Sequence, residues 1–238
     1  EFIKALAYIA IPFLCIMTQP DLGTGLVYLV IGAVTLIMGG ARWKYLIMLL
    51  GVFVGLIVAV FAIDEVLKNA TGDYVLLKQY QRNRLLVFLD PSADVTGTGF
   101  NLNQAMIAIG SGGLFGKGLL NGSQSSLGFV PESATDFIFC VLAEQFGFMG
   151  ALVLLALYLA LVLVSIRIAR ESSDLFGTLI VMGIVGMWLF QILENIGMDI
   201  GLMPITGIPL PFMSYGSSFM MVNFALLGLI GSVYAHKG

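Results

Sequence analysis

In the run Thr135-Asp136-Phe137-Ile138-Phe139, a carboxylate stands at the start of a long apolar segment, and a stretch rich in Gly, Asn, Gln and Ser leads into it. A charge at the rim of a bilayer is expensive to hold there, so such a residue either caps a helix or carries chemistry. The single histidine, His236, lies in the terminal tail. That leaves none for a Ser-His-Asp triad or a zinc site within this chain, and general acid–base work falls to carboxylates, Lys or Tyr. Cys15 and Cys140 sit far apart, in or beside apolar segments, and suggest neither a disulfide framework nor a metal motif.

Each further candidate has a plain reading beside a chemical one. Ser133-x-x-Asp136 has the form of a capping box, which would place Asp136 in a first helical turn, ionised by the helix dipole. Glu132 lies nearby as a second acid, with Thr135 between. Glu144 interrupts an apolar stretch and needs a partner, a cavity or the interface. Asn101-Leu102-Asn103-Gln104 runs on through Gly110-Ser111-Gly112-Gly113 to Gly116-Lys117-Gly118. Such glycines let backbone N–H groups approach an anion, with Lys117 as a point charge, or they form a flexible surface loop. The spacing is not that of a P-loop, because Gly118 follows Lys117. In Gln19-Pro20-Asp21-Leu22-Gly23-Thr24, Pro20 stops one helix and Asp21 can cap the next, which is the favoured reading on spacing; the functional one is a polar corner lining an outward cavity.

Apolar stretches approaching bilayer length position these residues: Phe2–Met17, Leu22–Met38, Tyr45–Ile63, Phe146–Ile166, Phe176–Leu193 and Phe219–Tyr234. The chain is 59% hydrophobic and 11% charged, with a mean hydropathy of +1.00, far from a water-soluble domain. A net charge of -3 offers no basic surface for nucleic acid. Phe137–Arg170 is too long for one perpendicular span and is interrupted by Glu144-Gln145, so a short helix followed by a true span from about Phe146 is expected. Lys4, Arg42, Lys44, Arg167, Arg170 and Lys237 all fall on one face of six alternating spans, which the positive-inside rule makes cytoplasmic. The outer face then receives the Asp21 corner, a long loop from Asp64 to Asp136, and the Glu194–Ser218 connection, which carries Glu194 and Asp199 but no Lys or Arg. In that loop the apolar patch Leu85–Leu89 is expected to pack on the membrane surface or the spans. Pro204-Ile205-Thr206-Gly207-Ile208-Pro209-Leu210-Pro211-Phe212 and then Ser214-Tyr215-Gly216-Ser217-Ser218 cannot form a regular helix. In a membrane such backbone is tolerated only where protein or a watery cavity satisfies it, so a re-entrant segment is expected. The expected fold is an all-α polytopic membrane bundle, residues 1–238 forming one membrane domain with an extracytoplasmic loop over 64–136. The opening at Glu1, without an initiator Met, suggests a piece of a longer polypeptide.

At Gln19–Thr24, at Asn101 through Lys117 to Asp136-Phe137-Ile138-Phe139, and at Gly207–Ser218, the chain resembles the SEDS family (shape, elongation, division and sporulation proteins) in order and spacing. Ile208-Pro209-Leu210-Pro211-Phe212 and Phe88-Leu89-Asp90-Pro91 look more like the RodA elongation branch than the FtsW division branch. The resemblance covers essentially the whole chain but only the C-terminal part of the family's longer fold. Two departures are Gly216, a lone glycine where the family often has two, and Ala134, where many members have His.

The resemblance implies a peptidoglycan glycosyltransferase of the bacterial cytoplasmic membrane, active on its outer side and polymerising lipid II. It casts Asp136 as the general base. Asp21, Thr24, Lys117, Thr135, Glu144, Pro209, Pro211, Ser214, Tyr215, Ser217 and Ser218 become substrate contacts. It also implies a class B penicillin-binding protein as transpeptidase partner, alongside other membrane proteins of the elongation complex. The pyrophosphate leaving group calls for charge stabilisation by a divalent cation (Mg or Mn) or by residues such as Lys117, and no metal ligand is assigned. The competing classes are a lipid II flippase, in which Glu144 and Asp21 gate or couple, and a non-enzymatic scaffold for the transpeptidase. A division paralogue of the FtsW type is the alternative within the family.

Overall fold

The computed structural model describes residues 2–17, 22–71, 87–88, 97–126 and 132–236. Among these the regular structure is helical, in the order α1 (Phe2–Met17), α2 (Leu22–Met38), α3 (Trp43–Thr71), α4 (Thr98–Gly112), the single turn α5 (Ser123–Ser126), α6 (Ile138–Arg170), α7 (Leu175–Asp199) and α8 (Ser217–Ala235). All six expected spans are helical. Of these, α6, α7 and α8 are long and apolar enough to cross a bilayer, while α1 and α2 are shorter apolar helices of 16 and 17 residues. Helix α3, 29 residues long, runs past Ile63 to Thr71 and so takes in the first residues of the expected loop.

Helix α7 is the centre of the bundle. Half of its apolar window is buried, against 28% for α6 and 11% for α8. It packs between α2 and α6, the two helices with which it shares its largest contacts. Small residues permit the approach to α2: a Cβ on Gly186 would meet Val34 Cγ2 at 2.7 Å, and one on Gly183 would meet Thr35 Cγ2 at 3.3 Å. Close helix–helix packing through small side chains supplies dispersion contact where lipid removes the hydrophobic drive between spans. Trp188 anchors the core with Val181, Val185, Leu154, Tyr158 and Leu210. The outward face of α6 presents Val153, Leu157, Leu163 and Val164 uncovered, as a lipid-facing surface does.

The expected break in Phe137–Arg170 falls at Gly147, whose φ of 66° and ψ of -164° lie outside the helical region. A side chain there would strain the backbone, and its Cβ would sit 2.3 Å from Gly116 N. A break in a helix exposes peptide groups on both sides. The glycine-rich loop answers them: the amides of Lys117 and Gly118 donate to the carbonyls of Glu144 and Gln145 at 3.0 Å each. Beyond the break, the amides of Phe148 and Met149 donate to the carbonyls of Gly113 and Leu114 at 2.9 and 3.1 Å. At these positions the loop completes the backbone of α6, and the amides of Lys117 and Gly118 are taken up in doing so.

The expected long loop also contains α4. Leu102, Ala105 and Ala108 recur at helical spacing and are buried with Val87, Phe137, Cys140, Met198 and Ile205. Val87, from the apolar patch at 85–89, therefore packs on the protein, while Phe88 beside it is exposed.

Candidate functional site

Asp136 sits half-buried in a turn over residues 132–137, just ahead of α6. The amides of Thr135 and Phe137 donate to Glu132 O at 3.1 and 3.2 Å, and Thr135 Oγ1 donates to Glu132 Oε2 at 3.2 Å. The expected capping box does not form: α6 starts at Ile138 with no acidic residue in its first turn, and its N-cap, Phe137, makes no side-chain cap. The cap comes from another helix. Cys140 N donates to Asp199 Oδ2 at 3.2 Å, and Asp199 is the last residue of α7. Tertiary packing has taken over a role that local spacing assigned to Asp136.

The Pro/Gly segment between α7 and α8 is irregular, as expected, and lies against this turn. Three successive carbonyls of the turn are held from that side. Ala134 O accepts from Tyr215 N at 2.8 Å, Thr135 O from Ser214 Oγ at 2.6 Å, and Asp136 O from Asn195 Nδ2 at 2.7 Å. Ser214 Oγ also accepts from Leu210 N at 2.7 Å, and Tyr158 of α6 donates its hydroxyl to Pro211 O at 2.6 Å. Trp188 packs edge-on against Phe212, whose positive φ of 61° marks a tight bend. Protein groups thus satisfy several of the segment's peptide groups.

Lys117 and Glu144 form a second polar group, at the break of α6. Glu144 is fully buried, and its Oε1 lies 2.8 Å from Lys117 Nζ. The same oxygen accepts from Gln124 N at 2.9 Å and Ser123 Oγ at 3.3 Å. Cys140 lies between the two groups, within electrostatic reach of both Asp199 and Glu144.

The predicted site residues therefore separate into groups. Thr135, Asp136, Pro209, Pro211, Ser214 and Tyr215 are brought together by the turn and the Pro/Gly segment, with Tyr215 strongly exposed. Lys117 and Glu144 pair with one another. Ser217 and Ser218 are exposed in the first turn of α8, and Thr24 is exposed on α2. Asp21 lies outside the described residues. Sequence reasoning gave no role to Glu194, Asn195 and Asp199, all essentially buried at the end of α7. Glu194 accepts from Thr206 Oγ1, and Asp199 accepts from Cys140 N. The available signal was three strongly polar residues within one and a half turns of an otherwise apolar helix.

This is a multi-pass helical membrane protein with a half-buried carboxylate set in a braced turn. The FtsW/RodA/SpoVE profile, described as cell cycle protein, matches residues 1–238, and the chain belongs to that family. It is 41% identical over 233 residues to the peptidoglycan glycosyltransferase MrdB of Escherichia coli K12, covering 98% of this chain and 60% of that protein. It is 46% identical over 162 residues to the peptidoglycan glycosyltransferase RodA of Treponema pallidum, covering 68% of this chain and 37% of that one. A solved structure concerning the coordination of polymerization and crosslinking by a peptidoglycan synthase complex matches with a TM-score of 0.70 at 31% identity, over 98% of this chain and 62% of that one. The chain spans about three-fifths of the length of MrdB.

Proposed function

We propose that the full protein to which this chain belongs is a peptidoglycan glycosyltransferase that polymerises lipid II on the outer side of the cytoplasmic membrane, with Asp136 as general base. The observation that carries this reading is the half-buried Asp136 held in a turn whose backbone is pinned to the Pro/Gly segment. The family relatives named peptidoglycan glycosyltransferase support the reaction class. In the proposed step, Asp136 takes the proton from a sugar hydroxyl as its oxygen bonds to the anomeric carbon of the lipid-linked strand. The anomeric C–O bond to pyrophosphate breaks, undecaprenyl pyrophosphate leaves, and the proton passes from Asp136 to solvent. One carboxylate suffices because a pyrophosphate departs without protonation and needs charge stabilisation instead.

Lys117, part-exposed beside Glu144, is the proposed cationic contact for that charge. A divalent cation, Mg or Mn, is proposed as a companion of the pyrophosphate itself. Among the described residues no three acidic, His or Cys side chains gather in a metal-holding arrangement, so protein-held metal does not fit them. A class B penicillin-binding protein is the proposed partner, in keeping with the synthase complex that the fold matches.

Labelled lipid II supplied in detergent to the purified full-length protein tests the reading, since flipping has no meaning there while polymerisation remains possible. Glycan strands are expected, with a loss of roughly a hundredfold or more for Asp136→Asn. A folded Asp136→Asn protein that polymerises near the parental rate would place the base elsewhere.

A further inference from the structure

We infer that Asn195 is a positioning residue for Asp136, acting with Ser214 to fix the carboxylate's backbone against the Pro/Gly segment; this rests on the proposed role of Asp136. Asn195 is completely buried within α7, the most enclosed helix. Its amide nitrogen has two hydrogens and uses both on backbone carbonyls: one to Asp136 O at 2.7 Å, the other to Ile208 O at 2.8 Å. A single planar group thus sets the spacing between the residue proposed to take the proton and the segment that borders it. Its own Oδ1 is buried without a hydrogen-bond partner among the described residues. An amide kept in a dry core with half of its bonding unmet costs stability, which an apolar residue of the same size would avoid. The arrangement is therefore explained by what its donors hold.

The second contact has the same form. Ser214, also completely buried, donates to Thr135 O at 2.6 Å while accepting from Leu210 N at 2.7 Å. Both side chains join the turn before α6 to the Pro/Gly segment, through hydrogen bonds that all run to backbone atoms. Reacting groups must be held within fractions of an ångström of the productive geometry, and small displacements transmitted from outside the reacting atoms lower the rate.

The test uses the full-length protein in detergent with labelled lipid II, comparing Asn195→Leu, Ser214→Ala and Asp136→Asn. Asn195→Leu keeps the volume and removes both donors. It is expected to lower kcat by roughly tenfold or more while KM for lipid II stays within about twofold, because the contacts to substrate are untouched. Ser214→Ala, a smaller perturbation of folding, is expected to show the same pattern at lower amplitude. A merely structural role would lower the folded yield and melting temperature and leave kcat of the folded fraction intact; that result in both variants overturns the inference. A loss expressed in KM alone overturns it too. Normal kcat in the Asn195 and Ser214 variants beside an inactive Asp136→Asn protein removes only the positioning role. Activity surviving in Asp136→Asn removes the assignment of the base on which that role rests.

Discussion

Lys117 Nζ stands 2.8 Å from a carboxylate oxygen of Glu144, a residue with no solvent exposure, across the break in α6. The two lie 27 residues apart in sequence. Their pairing ties the glycine-rich loop to the helix through side chains at the same point where backbone bonds already join them.

Removing one member of this pair should hurt more than removing both. Lys117→Met takes from the buried Glu144 the ammonium that stands 2.8 Å from its carboxylate. A loss of about 2–3 kcal/mol is expected, below that of a fully enclosed pair because Lys117 reaches solvent. The double variant Lys117→Met, Glu144→Leu should recover part of it. Thermal unfolding of the four proteins in detergent, read as a double-mutant cycle, checks this; strictly additive losses would refute the coupling.

Three glycines in one region should respond differently to alanine. Gly116 has φ +77°, and a Cβ there would lie 2.1 Å from Gln145 O. Gly147 has φ +66° and meets Gly116 N at 2.3 Å. Either change should cost at least about 1–3 kcal/mol from backbone strain alone, with collision added. Gly110, exposed inside α4 with nothing within 4 Å of its Cβ position, should gain about 0.5–1 kcal/mol on becoming alanine. Melting temperatures of the three variants should rank accordingly.

The inter-helix cap separates charge from hydrogen bonding at Asp199. Asp199→Asn keeps an acceptor for Cys140 N in the same buried site, so stability should stay within about 1 kcal/mol of the parent. Asp199→Leu strands the Cys140 amide and should cost about 1–3 kcal/mol. Equal melting temperatures for the two variants would show that the cap is not what Asp199 supplies.

Orientation is open to chemical labelling. In a background with Cys15 and Cys140 replaced, an impermeant maleimide applied to intact cells should modify Tyr215→Cys, because that side chain is 80% exposed on the proposed outer face. Arg42→Cys, on the face made cytoplasmic by the Lys/Arg distribution, should react only after permeabilisation. The opposite pattern would invert the topology.

What could be read from the chain divides along physical lines. Apolar runs, the irregularity imposed by Pro209 and Pro211, and the break near Phe146 follow from local chemistry, and each is present. The partner of Glu144 was not readable, because nothing near it in sequence marks Lys117 as the ion across the break. The capping reading of Asp136 fails for a similar reason: Ser133-x-x-Asp136 satisfies a local rule, yet the Cys140 amide in the first turn of α6 is capped by Asp199 from another helix. Helix α4 was absorbed into a long loop because Asn101, Asn103, Gln104 and the terminal glycines mask a short buried stripe at Leu102, Ala105 and Ala108.

The splice between the glycine-rich loop and α6 bears on which parts of the protein can move. The loop's release would leave four peptide groups of α6 and four of its own without these partners. Four backbone hydrogen bonds at about 1 kcal/mol each oppose that opening. The loop is thereby stitched to α6 as part of the wall of the bundle. Fewer buried side chains hold α8, in which only Asn223 and Ile230 are buried.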